Sequence, residues 1–329
     1  MTDFVSIGFD IGKYAVKAAD GARLVRFPSA AVSPDESLFT MDGRGRIVVE
    51  SEHGAWLVGE HAVKMGQPVR YTTAEWIGSD QWMSLMYGAY SELDRSDAQA
   101  CVVLGLPLSD YTSAARRIKI ALRGDHVFTR QGQPSTHIDM RVVRVVPQAW
   151  GIVLDELLDA NGEIVHPEML DQSIAVIDIG GHNINYLSVA GLSDVPSESL
   201  CTDGGAWTVC DHVRSMVVRD HPGLRGLRDH QIARAIAERE IMVGGATSDL
   251  TGIVEPLLRS TGEGIVATAE RLWGDGAERQ QKVYLIGGGA YLWGDYLRKA
   301  MPQMRVPDSP EFANAIGFQK YATYLVGQA

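Results

Sequence analysis

Short apolar stretches interrupted by glycine open the chain. Phe4 to Phe9 alternates apolar with small or polar residues, Tyr14 to Ala19 resumes the pattern after Gly12, and Leu24 to Phe27 is a third stretch. Alternation with a period of two is typical of half-buried strands. The Asp20-Gly21 pair between the second and third stretches is a hairpin signal. The opening of the chain therefore predicts a β-meander.

Strands and helices alternate through the rest of the first half. The residues at about 33–71 are less regular and predict a small inserted subdomain. The remaining elements predicted here are a helix at 74–95, a buried strand Cys101–Leu106, a helix capped by Ser109 or Asp110 and ended by Gly124, a strand His137–Val146, and a helix Gln148–Leu158.

The opening pattern then returns in the second half. Ile174–Ile177 leads into Asp178-Ile179-Gly180-Gly181, and a second strand follows at Ile184–Val189. The later elements predicted are helices at 205–219, 229–242 and 252–273, with Gly244-Gly245 separating the last two, a strand Val283–Ile286, a helix at 290–300, and a final helix Glu311–Val326. Two similar turns about half the chain apart suggest two related halves.

This alternation predicts an α/β fold with two domains, for which 329 residues are long enough. The predicted first domain comprises 1–160 plus 311–329 and includes the subdomain at 33–71. The second comprises 161–310, with an inserted subdomain at about 203–262.

A net charge of −11 argues against a surface that grips nucleic acid directly, because phosphate neutralisation needs clustered cations. The best local cluster is Arg116, Arg117, Lys119 and Arg123, for which a solvated helix face is the simpler interpretation. The three cysteines fit neither a metal motif nor a disulfide framework. With no signal-peptide pattern or membrane-length apolar stretch, we expect a cytoplasmic protein that does not bind membranes.

The first candidate for chemistry is the turn Asp10-Ile11-Gly12. Backbone N–H groups of a turn at a strand end can face an anion, and glycine permits close approach. The Asp10 carboxylate can hold a hydrated Mg²⁺ beside a phosphate, and Lys17 can neutralise the same phosphates. Taken alone, an Asp-x-Gly turn is also common in hairpins, so a purely structural role is the simpler interpretation.

Three further features make phosphate binding the better interpretation of this turn. Asp178, Gly180 and Gly181 repeat the turn in the second half, so two such turns facing each other can clamp a triphosphate and its metal. The Gly287-Gly288-Gly289 run between a strand and a helix lets a flat nucleoside pack on the backbone. Gln148, at a helix start, can orient an attacking water, although a polar helix-start residue explains it equally well.

The order of these motifs resembles the actin-like ATPases, most closely the ParM/StbA-type plasmid-segregation proteins and their archaeal and phage relatives. The residues that carry this resemblance are Phe9-Asp10-Ile11-Gly12 with Lys17, Gly105-Leu106-Pro107, Val146-Pro147-Gln148, Val176 to Gly181, Ile286 to Gly289, and Phe312 to Gly317.

The resemblance implies two ribonuclease-H-like domains around a central nucleotide cleft that binds ATP or GTP with Mg²⁺. For the metal and the phosphates, the resemblance implies that Asp10 holds the metal through water, that Gly12 and Lys17 lie at the β-phosphate side, and that Gly180, Gly181 and Asn183 lie at the γ-phosphate. Gly287 to Gly289 would line the adenosine. Gln148 and Asp178 would position the hydrolytic water. One departure is His182-Asn183, where the family usually places Ser or Thr. It favours binding more than it favours fast hydrolysis.

The implied function is an ATPase that polymerises into nucleotide-dependent filaments and segregates plasmid or other DNA through an adaptor protein. Two alternatives stay open at this stage. One is a small-molecule kinase of the same superfamily, for which the sequence holds no sugar-kinase signature. The other is a non-polymerising ATP-switch scaffold.

Overall fold

The computed structural model describes residues 4–34, 45–65, 74–274 and 280–328. The chain divides into two compact units, with Met1–Leu170 and Phe312–Ala329 in unit 1 and Asp171–Glu311 in unit 2. Of the subdomain predicted at 33–71, residues 35–44 and 66–71 lie outside the described part.

Unit 1 is built on a nine-stranded sheet with the strand order β3-β2-β1-β7-β9-β8-β5-β6-β4. Its strands, numbered along the chain, are β1 (Phe4–Ile11), β2 (Ala15–Ala19), β3 (Leu24–Pro28), β4 (Ala31–Val32), β5 (Ile47–Ser51), β6 (Gly54–Val58), β7 (Ala98–Leu106), β8 (Gly124–Arg130) and β9 (Ser135–Pro147). β7 pairs in parallel with β1 on one side and with β9 on the other. The carboxyl ends of these three strands therefore meet at one edge of the sheet.

Helices cover both faces of the central strands, which explains why β7 is apolar at successive positions. The helices of unit 1 are α1 (Glu60–Met65), α2 (Asp80–Glu92), α3 (Leu108–Ala121), α4 (Trp150–Leu157) and, from the end of the chain, α9 (Ala313–Gly327). Val102 and Leu104 belong to the core cluster that also holds residues of α2 and α3. Cys101 and Val103 point the other way and pack in a cluster with Phe318 of α9.

Glycines let α9 approach the sheet and α4 closely. A Cβ on Gly8 of β1 would lie 2.1 Å from the Ala315 oxygen, and one on Gly317 would lie 1.8 Å from the Gly151 oxygen. No side chain fits at either position, so the backbones pack directly.

Unit 2 contains a second sheet in the order β12-β11-β10-β16-β17, to which β13 adds by pairing with β11. Its strands are β10 (Ser173–Ile179), β11 (Asn183–Ala190), β12 (Ser193–Asp194), β13 (Leu200–Asp203), β16 (Lys282–Ile286) and β17 (Met304–Arg305), with a separate hairpin β14 (Glu240–Val243) and β15 (Ala246–Asp249). Its helices are α5 (Ala206–Asp220), α6 (Asp229–Glu238), α7 (Thr251–Trp273) and α8 (Ala290–Ala300). β10 again has an antiparallel neighbour, β11, and a parallel neighbour, β16.

Most predicted elements are confirmed, and three local predictions are wrong. The N-cap of α3 is Pro107 rather than Ser109 or Asp110, and Gly124 opens β8 instead of ending the helix. The helix predicted at 229–242 stops at Glu238, because the next residues pair as strand β14. Gly244-Gly245 is the turn of that hairpin, with both residues at positive φ.

Among the helices in the part of the chain that the structure describes, none has the length and hydropathy needed to span a bilayer.

Candidate functional site

In unit 1, Asp10 and Lys17 form an ion pair across the first hairpin. The two residues are register partners between β1 and β2, and side chains of directly opposed residues lie on the same face of the sheet. Lys17 Nζ donates to Asp10 Oδ2 at 2.8 Å. Asp10 is 3% exposed, so this carboxylate is a buried charge whose partner comes from the neighbouring strand.

Gln148 completes the contacts of Asp10 from a distant part of the chain. Its Nε2 donates to Asp10 Oδ1 at 2.7 Å, and its own backbone N–H donates to the Leu106 oxygen at 2.7 Å. The second bond fixes Gln148 at the end of β7, one strand away from β1. Because a carboxylate only accepts hydrogen bonds, the amide orientation is fixed: Nε2 faces Asp10 and Oε1 is turned away from it.

The backbone after Gln148 is held by the final helix. Ala149 has φ of 74°, a conformation that residues with a Cβ seldom adopt. Its N–H donates to Asn314 Oδ1 at 3.1 Å, and Asn314 lies in the second position of α9. The run Phe312 to Gly317 therefore has a physical role, because Asn314 holds the turn that presents Gln148.

The first Asp-x-Gly turn is closed by its own backbone. The Gly12 N–H donates to the Ala15 oxygen at 3.2 Å, and Ser29 Oγ donates to the Gly12 oxygen. A Cβ on Gly12 would lie 3.4 Å from Lys17 Nζ, so glycine keeps the space beside the ammonium group open. The predicted phosphate contact of Gly12 stays a prediction.

In unit 2, the second turn repeats the first in detail. The Gly180 N–H donates to the Asn183 oxygen at 2.9 Å, which corresponds to the bond from Gly12 to Ala15. Asp178 is 5% exposed and pairs across the hairpin with Asn185. Each aspartate thus has a register partner seven residues later along the chain, Lys17 in unit 1 and Asn185 in unit 2.

Asn185 is buried and was missed in the sequence analysis. The sequence signal for Asn185 is its position seven residues after Asp178, because Lys17 lies seven residues after Asp10.

The start of α5 braces the second turn, and this contact was also missed. The Ala206 and Trp207 N–H groups donate to the Gly180 and Gly181 oxygens at 3.0 and 2.7 Å. A Cβ on Gly205 would lie 2.5 Å from the Gly180 oxygen, so only glycine fits there. The Gly204-Gly205 pair before an apolar helix was the sequence signal for this approach.

His182 and Asn183, which together depart from the family pattern, both face Asp203. Asn183 Nδ2 donates to Asp203 Oδ1 at 3.4 Å, and His182 Nε2 lies 3.4 Å from the same oxygen. Asp203 itself is largely exposed. The polar groups that replace the usual hydroxyl are thus oriented by an acidic neighbour on β13.

The glycine run after β16 lies beside Asp178. Asp178 and Ile286 are register partners, so Gly287 follows at the same edge of the sheet. Gly287 has φ of 84°, and a Cβ there would lie 2.5 Å from Asp178 Oδ1. A Cβ on Gly289 would lie 2.2 Å from Ile179 Cγ2, whereas Gly288 is exposed with open space around it. Gly287 and Gly289 are therefore required by packing on β10, and Gly288 is not.

The structure thus brings the predicted site residues together within each unit. In unit 1 these are Asp10, Lys17 and Gln148, with Gly12 beside them. In unit 2 these are Asp178, Gly180, Gly287 and Gly289 around the end of β10. Within the described residues, no group of three or more His, Cys, Asp or Glu side chains could chelate a metal ion. That Asp10 holds a metal through water stays a prediction.

Two family models match the chain, one after the other. One, described as the N-terminal domain of actin-like proteins, matches residues 8–151, and the other, described as the C-terminal domain of the archaeal actin homologue MreB-like proteins, matches residues 176–299. The chain belongs to the actin-like proteins. Among curated proteins, no match to the sequence was found.

Solved structures similar to this actin-like chain show the same fold over its full length. The archaeal actin homologue Ta0583 has a TM-score of 0.82 at 16% identity and covers 99% of this chain and 100% of its own. The 15-stranded ParM filament from Clostridium botulinum has a TM-score of 0.80 at 20% identity, with coverage of 97% and 99%. Ta0583 in complex with ADP has a TM-score of 0.78 at 16% identity, with coverage of 99% and 100%. The predicted fold class, two α/β domains of actin type, is confirmed.

Proposed function

We propose that this actin-like protein binds and hydrolyses a nucleoside triphosphate with Mg²⁺, and that it assembles into filaments whose stability depends on the bound nucleotide. The observation that carries the proposal is the buried carboxylate of Asp10, held between Lys17 and Gln148. Burying a charge costs several kcal/mol unless it is paired, and a hairpin turn alone requires no such group. A contact assembled from β1, β2 and the end of β9 is therefore better explained by ligand chemistry.

In this proposal Asp10, Lys17 and Gln148 of unit 1 have different roles. Among the described residues, each Asp10 oxygen accepts one hydrogen bond, which leaves a lone pair on each for a water proton. A bound Mg²⁺ would supply charge neutralisation at the phosphates. Lys17 adds a second positive charge beside the same turn, and Gln148 Oε1 accepts a hydrogen bond from the attacking water and so orients it without taking its proton.

In unit 2, Asp178 is the candidate for positioning or polarising a hydrolytic water. Its carboxylate stands at the end of β10, beside Gly287, where a Cβ would lie 2.5 Å from Asp178 Oδ1. Gly180, Gly181 and Asn183 are proposed to meet the γ-phosphate, and Gly287 to Gly289 the adenosine. ATP is the expected nucleotide, with GTP as the alternative to be measured alongside it.

Filament formation follows from linkage. If the polymerised conformation binds the triphosphate more tightly than the monomeric one, the triphosphate drives assembly and hydrolysis reverses it. ParM filaments among the structures of the same fold support self-assembly. The cargo would be plasmid or similar DNA reached through an adaptor, because a net charge of −11 disfavours direct contact with DNA.

The deciding experiment combines sedimentation with phosphate release, using ATP and GTP across magnesium concentrations. We expect a pelletable polymer that forms with a triphosphate and disassembles as phosphate is released. No polymer with either nucleotide under any of these conditions would refute the filament proposal.

Two variants separate binding from turnover. Asp10→Ala, in unit 1, should weaken nucleotide binding in the presence of Mg²⁺. Asp178→Ala, in unit 2, should still bind nucleotide while its phosphate release falls by about 10²-fold or more, because water positioning is lost. Unchanged phosphate release in Asp178→Ala would show that its role is misassigned.

A further inference from the structure

Within unit 1, three exposed apolar side chains lie close together in sequence, between α4 and Leu170, where the first segment of the unit ends. Ile164, Val165 and Leu170 are 42%, 48% and 36% exposed. Asp159, Glu163 and Glu168 flank them, and Glu163 and Glu168 are exposed. We call residues 159–170 the acidic segment.

The acidic segment is ordered although most of its side chains, apart from the buried Met169, are accessible to solvent. The Val165 N–H donates to the Leu157 oxygen at 3.0 Å, and Leu158 and Ile164 form a β-bridge. Asp159 Oδ1 accepts from the N–H groups of Asn161 and Glu163 at 2.9 and 2.8 Å. A surface that is already ordered loses little conformational entropy when a partner binds it.

The negative charge of Asp159 in this segment is also maintained. The Glu163 N–H, with help from Asn161, holds the pKa of Asp159 below its ordinary value. This carboxylate therefore stays ionised at neutral pH.

A surface of the opposite charge lies on α3. Asp110, Ala114 and Ile118 form the buried stripe of this helix at a spacing of four residues, so the other side faces solvent. We call that exposed side the basic face of α3. It consists of Arg116, Arg117, Lys119 and Ile120, together with Arg123 just beyond the end of the helix.

Nothing in the described part of the chain neutralises the basic face. None of its four cations takes part in an ion pair within that part, and residues 111–123 contain no acidic residue. Ile120, in the middle of the cations, is 67% exposed. An apolar centre with a charged rim is the usual anatomy of a protein interface.

We propose that the basic face of α3 docks onto the acidic segment of a second copy of this chain. Both surfaces belong to unit 1, and each pairs exposed aliphatic side chains with charges opposite to those of the other. Because the two surfaces differ, the contact is heterologous, and such a contact repeats into a polymer wherever it does not close into a ring. The inference rests on the proposed function, since it names the surfaces through which the filament subunits meet.

Docking of a second copy would cover more of these exposed groups than binding of a polyanion such as DNA would. DNA would engage the cations of α3 and would leave Ile164, Val165 and Leu170 exposed. Docking between copies covers the aliphatic groups on both sides, and the charges then fix the register and raise the association rate.

Charge reversal and its rescue test the proposal on the full-length protein. Arg116→Glu combined with Lys119→Glu should raise the critical concentration for assembly by at least about tenfold, since close interfacial charge pairs couple at that level or above. Glu163→Lys combined with Glu168→Lys should do the same. The variant that carries all four changes should assemble close to the wild-type critical concentration.

Arg298→Glu with Lys299→Glu is the matched control. These residues are also exposed near the end of a helix, α8, and the change in net charge is the same. The control should assemble like the wild type. Circular dichroism melting and nucleotide affinity should be unchanged in all four variants, which separates a docking defect from misfolding.

The outcomes distinguish this inference from the proposed function. If the wild type polymerises and the reversals have no effect, or the fourfold variant is not rescued, the docking proposal is wrong and the filament proposal stands. If the wild type, with ATP or GTP and Mg²⁺ present, shows no association by analytical ultracentrifugation at low salt, where charge contacts are strongest, both are wrong. If the α3 reversal abolishes DNA binding and leaves assembly unchanged, the basic face belongs to nucleic acid and the docking proposal is again overturned.

Discussion

Gln148 Nε2 donates a hydrogen bond to Asp10 Oδ1 at 2.7 Å, although 138 residues separate the two along the chain. The bond joins the end of β9 to β1 across the intervening strand β7. It is supported from behind by Asn314, which accepts from the N–H of Ala149. The first hairpin, the central strands and the final helix therefore all contribute to the orientation of a single carboxylate.

Gln148→Leu is expected to keep nucleotide binding and to lose turnover. The substitution removes both the donor to Asp10 and the Oε1 acceptor proposed for the attacking water, while the pair between Lys17 and Asp10 remains. Loss of one such polar group costs about 10²–10³-fold in turnover. One oxygen of a buried carboxylate also loses its partner, so the unfolding free energy should fall by about 1–3 kcal/mol. Single-turnover phosphate release and urea unfolding measure the two effects.

Gln319→Leu serves as the control for Gln148→Leu. Gln319 is another buried glutamine of unit 1, and its Nε2 donates to Thr323 Oγ1 at 3.0 Å, within α9. This variant should also lose stability but should retain its turnover per folded molecule. Equal turnover losses in the two variants would mean that Gln148 acts only through the stability of unit 1.

Much of the fold could be predicted because its signals are local. The central strands are continuous apolar runs, and each Asp-x-Gly turn is marked by the residues that form it. The contact from Gln148 to Asp10 could not be read from spacing, because it depends on the strand order of the sheet. The seven-residue spacing from Asp178 to Asn185 was visible, but its meaning required the register of β10 and β11.

The errors have a similar cause. The helix predicted at 229–242 has suitable periodicity as far as Glu238, but the residues after it pair with β15, and this tertiary contact overrides helix propensity. The cap of α3 was assigned to a residue with a capping side chain, whereas the N-cap is Pro107, which follows directly on the end of β7 at Leu106 and makes no side-chain cap bond.

Adjacent glycines after β16 are expected to respond very differently to alanine. Gly287→Ala places a Cβ at positive φ and 2.5 Å from Asp178 Oδ1 and from the Ile179 oxygen. The backbone strain alone costs about 1–2 kcal/mol, and the clash adds to it at the proposed catalytic aspartate. We expect a lower melting temperature together with loss of phosphate release.

Gly288→Ala is the matched control for that substitution. Gly288 has no atom within 4 Å of a built Cβ, so its stability should change by no more than about 0.5 kcal/mol. If nucleotide affinity nevertheless falls in Gly288→Ala, the open position is used by the ligand, as the proposed adenosine contact requires. Wild-type behaviour of Gly287→Ala would contradict the packing described for β10 and β16.

The three cysteines should differ in reactivity in the folded protein. Cys101 has 0% exposure, and burial raises the pKa of its thiol to about 11. Cys210 is also buried, while Cys201 is partly accessible. Because the thiolate is the reactive form, a disulfide reagent at pH 8 should modify Cys201 first, and all three thiols should react after unfolding in guanidinium. Rapid native-state modification of Cys101, located by mass spectrometry, would contradict its place between the sheet and α9.

Two buried tryptophans give a final test of the cores, one in each unit. Trp82 is fully buried in α2, and its Nε1 has no hydrogen-bond partner in the described part of the chain. Trp293 is equally buried in α8, but its Nε1 donates to the Leu258 oxygen at 3.1 Å and to Thr261 Oγ1 at 3.0 Å.

Both Trp→Phe changes remove the same volume, so the cavity cost is comparable and the hydrogen bonds decide the difference in unfolding free energy. Trp82→Phe removes an unsatisfied donor, whereas Trp293→Phe breaks two hydrogen bonds, of whose acceptors the Leu258 oxygen keeps a bond from Thr261 Oγ1. Trp293→Phe should therefore cost about 1–3 kcal/mol more in unfolding free energy, and equal costs in urea unfolding followed by circular dichroism would count against these assignments.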